Sequence, residues 1–183
     1  RSQGAGPNAV TQVNTPQGSV LNYVYDANGN QISGDGRTLT YTSFNRPKTA
    51  TKGTTSDSFG YAPSRERITK TSKVGTVTTS TTYVGKVYER QNKSGSTVTE
   101  HKHYVAAGGT TVVVTQRSNN VNDIRYLHQD HLGSVNAITN ELGQVVERNA
   151  FDPWGARRQP NWKDATNVIT SLTTRGFTGH EHD

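Results

Sequence analysis

Aromatic side chains recur about every twenty residues along the chain, and this repetition constrains the fold more than any other feature of the sequence. A repeat of this length is typical of units that cannot bury their surface alone and therefore stack on their neighbours. The aromatic residues that begin or close short β-like runs are Tyr25, Tyr41, Tyr61, Tyr83, Tyr104, Tyr126 and Phe151, with successive spacings of 16, 20, 22, 21, 22 and 25 residues. The spacing predicts a stack of β-hairpins.

The residues between these aromatics support strands and tight reversals. Leu39 and Tyr41 alternate with Thr38, Thr40 and Thr42, which is the period of two expected of a strand. Asn and Gly tolerate the positive φ that hairpin turns require, so clusters of them predict reversals between antiparallel strands. Such clusters occupy residues 26–30, 34–36, 93–95, 108–109 and 140–143. The sequence therefore predicts an all-β fold of antiparallel hairpin repeats, without a long amphipathic helix.

Composition narrows the class of protein further. Hydrophobic residues make up only 30% of the 183 residues, which predicts a thin core and a sheet that is wet on at least one face. The absence of cysteine excludes a disulfide framework, a thiol nucleophile and any cysteine-ligated metal. No stretch approaches the roughly 18 apolar residues of a membrane span. The net charge of +6 comes from scattered Lys and Arg, so it predicts solubility and no nucleic-acid partner.

One short segment near the N-terminus carries a recognisable signature. Residues 25–30, which contain Tyr25, Asp26 and Gly29, are similar to the Tyr-Asp-x-x-Gly motif of YD repeats. Degenerate copies follow at 44–47 and 61–67, where the Asp and the Gly of the motif are replaced.

The resemblance is strongest from residue 126 onward. Three blocks follow one another in the order found in the RHS-associated core region of bacterial polymorphic toxins. The first block contains Tyr126, Asp130, His131, Leu132, Gly133 and Ser134, the second contains Phe151, Asp152, Pro153, Trp154 and Gly155, and the third contains Phe177 and Gly179. The chain thus resembles an RHS, or YD-repeat, protein over about residues 20 to 183.

The resemblance implies a spiralling β-sheet ribbon that forms part of a hollow shell around a C-terminal toxin domain. It divides this chain into a weakly characterised segment 1–19, degenerate YD-type repeats at 20–125 and an incomplete core region at 126–183. The toxin domain and any autoproteolytic aspartyl site are then expected beyond Asp183. The implied partners are the rest of the shell, its toxin cargo and components of a secretion system or receptor. The implied location is that of a secreted or delivered bacterial effector.

Several residues nevertheless suggest chemistry. Asp130 and His131 are residue types found in hydrolytic triads, but neighbours on a strand point to opposite faces and are poorly placed to hydrogen-bond to each other. Asp152-Pro153-Trp154-Gly155 superficially matches the aspartyl cleavage motif, yet no second such box follows. Histidine pairs at 101/103 and 180/182, together with His128 and Asp130, have a spacing that zinc sites use, although no third ligand is specified. We therefore expect structural roles for the motif residues, with no catalytic residue, metal or cofactor in this chain.

An adhesive or glycan-binding module of a cell surface is the alternative function. Trp154 and Trp162 motivate it, because indole rings stack on sugars. A small enzyme is a further alternative, but no nucleophile, base and orienting group share a recognisable spacing.

Overall fold

The computed structural model describes residues 6–15, 18–153, 155–159 and 171–181. In this part of the chain, a fourteen-stranded sheet has the same strand order as the sequence, and a separate pair of strands follows it. Neighbouring strands run antiparallel. No helix in the described residues has the length and apolar character that crossing a membrane requires. The predicted all-β fold of antiparallel hairpins is confirmed.

The strands are short and are named here in chain order. Those of the N-terminal half are β1 Gln12–Asn14, β2 Val20–Tyr25, β3 Gln31–Gly34, β4 Arg37–Tyr41, β5 Pro47–Lys52, β6 Thr55–Tyr61, β7 Arg67–Val74 and β8 Val77–Val84. Those of the C-terminal half are β9 Tyr88–Lys93, β10 Thr99–Ala107, β11 Thr110–Arg117, β12 Asp123–Gln129, β13 Val135–Thr139, β14 Val145–Arg148, β15 Ala150–Phe151 and β16 Arg157–Arg158. A single 3-10 turn follows at Phe177–Gly179.

The chain divides into two compact units. Unit 1 comprises Arg1–Gly85 with Gln91–Thr97, and unit 2 comprises Lys86–Arg90 with Val98–Asp183. The predicted segments 1–19, 20–125 and 126–183 divide the sequence by type of repeat instead, and they remain predictions.

A five-residue turn recurs between strands in both units. In the turn that begins at Asp26, the N–H of Asp26 donates to the carbonyl oxygen of Asn30 at 2.9 Å, and the N–H of Gly29 donates to that of Asp26 at 3.0 Å. The same pair of hydrogen bonds closes turns that begin at Thr42, Ala62, Asp130, Asn140, Asp152 and Gly176. This is a type I turn followed by a left-handed residue and a bulge, a common hairpin connection.

The fourth residue of each five-residue turn has a positive φ. Glycine occupies this position in most of the turns, but Asn45 (φ +59°) and Arg65 (φ +66°) occupy it in the two degenerate repeats. The sheet register shifts beside these turns, for example between Thr40 and Tyr41 and between Gly60 and Tyr61. The degenerate repeats therefore keep the geometry of the turn although they lack glycine, the residue that most easily adopts a positive φ.

The first residue of the turn explains the aspartate of the repeat signature. One carboxylate oxygen of Asp26 accepts hydrogen bonds from the backbone N–H of Asn28 at 2.9 Å and of Asn30 at 2.8 Å. In the next turn, the hydroxyl of Thr42 accepts from the N–H of Arg46 at 3.1 Å. These side chains satisfy backbone donors that would otherwise face water, which is the usual reason for Asp, Asn or Thr at this point in a turn.

In unit 1, the tyrosines that precede the turns at Thr42 and Ala62 tie successive hairpins together. The hydroxyl of Tyr41 donates to the carbonyl oxygen of Gln31 at 2.9 Å, and that of Tyr61 donates to the carbonyl oxygen of Pro47 at 2.6 Å. Both acceptors directly follow the preceding five-residue turn in the chain. Tyr41 and Tyr61 thus each reach back by one hairpin, which gives these two tyrosines of unit 1 a structural role.

Gly143 allows a test of the left-handed position. We expect Gly143→Ala to lower the free energy of unfolding by about 1–2 kcal/mol, because φ is +74° there and an L-residue is strained in that region. No heavy atom of the described residues lies within 4 Å of the position that the new Cβ would take, so the loss measures the backbone alone. Urea denaturation is the measurement. Gly143→Asn is the matched control, and an equal loss there would contradict the explanation, since Asn tolerates this conformation.

The tyrosine contacts predict a second effect. Removing the hydroxyl with Tyr61→Phe should lower the free energy of unfolding by about 0.5–1.5 kcal/mol, the usual net value of one hydrogen bond. Tyr23→Phe is the matched control, because the Tyr23 hydroxyl has no hydrogen-bond partner in the part of the chain that the structure describes. Urea denaturation of both variants tests this, and equal losses would show that the hydrogen bond to Pro47 does not matter.

Candidate functional site

The first core-region block forms a five-residue turn after β12. One carboxylate oxygen of Asp130 accepts from the backbone N–H of Leu132 and of Ser134, each at 2.9 Å. Gly133 takes the left-handed position with φ +86°. Tyr126 lies upstream on β12, half-buried and paired with Thr139 of β13.

The third block lies against this turn. We call residues 171–181 the C-terminal strap. The N–H of Thr178 donates to the hydroxyl of Ser134 at 3.1 Å, and the N–H of Val135 donates to the carbonyl oxygen of Gly176 at 3.1 Å. Blocks that are some forty residues apart in the sequence are therefore joined through side chain and backbone.

The second block also contacts the C-terminal strap. The ring centroids of Phe151 and Phe177 are 6.1 Å apart, within the range of favourable aromatic pairs. A Cβ added to Gly155 would lie 3.0 Å from Cδ1 of Phe177, and one added to Gly179 would lie 3.3 Å from the carbonyl oxygen of Gly133. Glycine at these two positions therefore permits close packing in addition to the turn geometry.

The most deeply buried side chains of unit 2 lie in and beside the turn that begins at Asp130. Leu127, Val135 and Ile138 have exposed fractions of 1%, 0% and 0%, and they cluster with Tyr104 and Val113. The 3-10 turn of the strap packs against β13, which carries two of these residues. The strap therefore adds a second layer to a single sheet at this point and helps to bury its apolar side chains.

The N-terminal signature lies in unit 1 and has a similar local role. The hydroxyl of Tyr25 donates to the carbonyl oxygen of Val10 at 2.8 Å. The second carboxylate oxygen of Asp26 accepts from the side-chain amide of Asn30 at 2.9 Å, and Gly29 has φ +82°. Hydrogen bonding, above all from the side-chain amide of Asn30, holds the pKa of the Asp26 carboxyl below its usual value, although desolvation acts in the opposite direction. All these contacts shape a turn.

The carboxylates that suggested catalysis have the same structural use. Asp130 and His131 lie in the turn after β12 instead of on a strand, and the carboxylate of Asp130 is bound by backbone amides while His131 is exposed. Asp152 accepts from the N–H of Ala156 at 2.9 Å, and Pro153 occupies the exposed turn beside it. Trp154 and Trp162, on which the glycan-binding alternative depends, lie outside the described residues.

Three of the described histidines bond to neighbouring hydroxyl groups. The contacts are His101 to Tyr88 at 2.6 Å, His128 to Thr139 at 3.0 Å and His180 to Thr178 at 2.7 Å. His103 lies beside Tyr88, with 5.1 Å between ring centroids, and His182 is outside the described residues. Within the described ranges, no three side chains of the types that bind metals come together as a metal site would require.

A charged cluster crosses three strands of unit 2, and the sequence analysis did not anticipate it. Arg117 pairs with Glu100 at 2.6 Å and with Asp123 at 2.7 Å, Arg125 pairs with Asp123 at 3.2 Å, and Lys102 pairs with Glu100 at 3.1 Å. Burial raises the pKa of Asp123, but the hydrogen bonds from Arg117 and Arg125 outweigh it and hold that pKa below its usual value. The alternation of charges along β10 was the only signal in the sequence.

A second polar group lies deeper in unit 2. Glu89 is 6% exposed, and the hydroxyl of Tyr104 shares a side-chain hydrogen bond with it. The guanidinium carbon of Arg175 lies 3.9 Å from the centroid of the Tyr104 ring, and Arg175 donates to the carbonyl oxygen of Lys86 at 2.7 Å. Burial raises the pKa of Glu89 more than the nearby Lys102 lowers it, and burial likewise raises the pKa of Tyr104. Arg175 thereby anchors the strap to the sheet through a cation–π contact.

The close packing of Gly155 leads to a third prediction. Gly155→Ala should lower the free energy of unfolding by about 1–3 kcal/mol more than Gly143→Ala, because the two positions share a left-handed backbone but only the first would press a Cβ against Phe177. Urea denaturation of the two variants side by side gives the difference. Equal losses would mean that Phe177 does not pack against this turn.

Glu89 predicts a dependence on pH. Because its pKa is higher in the folded chain than the ordinary value of 4.5, the folded state binds this proton more tightly than the unfolded state. The free energy of unfolding should therefore fall as pH rises through the window above 4.5. Glu89→Gln should remove this contribution, so the variant should be more stable than the parent at neutral pH, and the difference should shrink below about pH 4.

Urea denaturation across that pH range is the measurement for Glu89→Gln. Glu66→Gln, at an exposed glutamate, is the matched control and should leave the pH profile unchanged. A variant that is less stable than the parent at neutral pH would show that the contact with Tyr104 requires the charge.

No protein-family model matches the chain, and no curated protein matches it. A crystal structure of TcdB2-TccC3-TEV is similar over 90% of this chain and 10% of its own, with a TM-score of 0.72 and 17% sequence identity. A structure of TcdB2-TccC3-Cdc42 is similar over 92% and 10%, with a TM-score of 0.71 and 17% identity.

A third structure, TcdB2-TccC3 without its hypervariable C-terminal region, is similar over 94% of this chain and 10% of its own, with a TM-score of 0.61 and 15% identity. The chain thus spans about a tenth of the length of the chains that it matches. TccC3 carries RHS repeats, and the likeness covers 92% of this chain. The chain therefore has the RHS-type fold.

Proposed function

We propose that this chain is a wall segment of an RHS shell that encloses and carries a toxin domain. The observation that supports the proposal most directly is the similarity of more than nine-tenths of the chain to a part of TcdB2-TccC3. The order of strands supports it too, because a sheet whose strands follow the sequence can be lengthened by further hairpins at either end.

The physical properties of the sheet suit a wall. Few large side chains are fully buried, and the strands are held by ladder hydrogen bonds and cross-strand pairs, each of which contributes about 0.2–1 kcal/mol. A wall made in this way does not need a cargo folded against it. Low hydrophobicity is then a property of the architecture and does not indicate disorder.

The proposal assigns no catalytic step to this segment. Asp130 and Asp152 use their carboxylates to hold turns, which is a structural role. In the proposed scheme, the toxin domain and any aspartyl cleavage site lie in sequence that follows Asp183. Partners are the remainder of the shell and its cargo, and the assembly is secreted or delivered as a toxin.

The reading frame of the parent gene and the shape of its product test the proposal together. We expect the frame to continue past Asp183 into closing repeats and a further domain, and electron microscopy of the complete product to show a hollow particle with internal density. A frame that ends within a few residues, or a compact particle without a cavity, would overturn the proposal. Binding or adhesion by the chain itself would then be the leading function.

A further inference from the structure

A small cavity lies between the sheet of unit 2 and the C-terminal strap. Side chains of β10, β11 and β12 line it from the sheet, and Leu172 and Thr173 line it from the strap. Its volume is about 60 Å³, and Thr115 on its wall is only 3% exposed. A single water molecule needs about 10–15 Å³ of such space, so the cavity has room for a small ion.

The strand register explains why the cavity forms at this point. Thr115 of β11 lies opposite Lys102 of β10 on one side and opposite Asp123 of β12 on the other. Glu100 and Arg117 form the next pair on the same face, because they lie two positions along the same strands. The short side chain of Thr115 therefore lies among four longer, charged ones and leaves space between them.

The charged groups that line the cavity do not balance. Lys102, Arg117 and Arg125 contribute three positive charges, whereas Glu100 and Asp123 contribute two negative ones. The side chains of these five residues are 14–26% exposed, so water and salt screen them only in part. The lining thus keeps one positive charge, and a partly buried charge without a counter-charge is costly.

The hydrogen bonds of the lining show the same imbalance. The two carboxylate oxygens of Glu100 lie 3.1 Å from Nζ of Lys102 and 2.6 Å from Nε of Arg117. Those of Asp123 lie 3.2 Å from Nε of Arg125 and 2.7 Å from Nη1 of Arg117. Arg125 makes its contact through Nε alone, and its two terminal NH₂ groups have no hydrogen-bond partner in the described part of the chain. Every carboxylate oxygen of the lining is therefore paired, while N–H donors remain.

We propose that this cavity binds a chloride ion. Chloride accepts hydrogen bonds and donates none, so it suits a lining whose acceptors are used and whose donors are in excess. Its single negative charge matches the single positive charge that the lining keeps. Arg125 and Lys102 supply charged donors, and the hydroxyl of Thr115 supplies a neutral one. Water alone would fill the space without neutralising the charge.

Thermal unfolding of the full chain in two salts tests the site. Sodium chloride is compared with sodium gluconate at the same ionic strength of about 0.15 M, so that general screening is equal. Gluconate is too large for the cavity. We expect a Tm about 3–6 °C higher in chloride, the shift for a chain of this size when the ion is about tenfold above its Kd. Equal Tm values in the two salts would overturn the proposal.

A lysine on the cavity wall and a lysine outside it separate the site from a general effect of chloride. Lys102→Met keeps a long side chain but removes the unbalanced charge, so the difference in Tm between the two salts should disappear. Lys48→Met, at an exposed lysine of β5 in unit 1, makes the same change of charge elsewhere and should keep the full difference. A difference that survives in Lys102→Met, or that disappears in Lys48→Met, would overturn the proposal.

Chlorine NMR of the unaltered chain gives a measurement that does not depend on the folding of any variant. Binding should broaden the chloride signal beyond the width seen with the unfolded chain in urea, and added bromide should reverse the excess by competing for the cavity. A signal without excess width, or an excess that bromide leaves unchanged, would overturn the proposal.

Discussion

The pair of backbone hydrogen bonds that closes the five-residue turn is the interaction on which the rest of this architecture depends. It reverses the chain within five residues, and its left-handed fourth residue adds the bulge that shifts the register of the next strand. Bulges increase the right-handed twist of a sheet locally. Because this turn and the shorter turns between the other strands each reverse the chain, each strand pairs with the strand before it, and the sheet follows the order of the sequence. The signature residues can be recognised in the sequence because they satisfy the geometry of the five-residue turn.

The two units obtain their cohesion differently. In unit 1, tyrosine hydroxyls bind the backbone of the preceding hairpin, and side chains spread over broad sheet faces instead of collecting in a centre. In unit 2, the C-terminal strap covers part of the sheet, and Leu127, Val135 and Ile138 are completely or almost completely buried there. Burial of apolar area is worth roughly 25 cal/mol per Å², so this small covered region contributes a large share of the hydrophobic stabilisation of its unit.

Charged side chains in unit 2 stabilise structure at sites that resemble reactive centres in composition alone. Glu100, Arg117 and Asp123 neutralise one another across neighbouring strands. A half-buried network of this kind is favourable when its hydrogen bonds are satisfied and costly when one partner is removed. Arg175 combines a cation–π contact with a backbone hydrogen bond and fastens the strap. These contacts hold the strands of unit 2 and the strap together.

The sequence by itself determined the hairpins and the residues of their turns, because both depend on contacts within about five positions of the chain. The Asp-to-amide bonds of Asp26 and Asp130 and the alternation around Leu39 are local, so they could be read from residue types and spacing. Arg65 in a left-handed position could not, since the closing hydrogen bonds impose a conformation that its own preference opposes. Only the tertiary structure decided that the three core-region blocks meet and that Glu89 is buried beside Tyr104. These features join residues far apart in sequence, and long-range packing and strand register determine them.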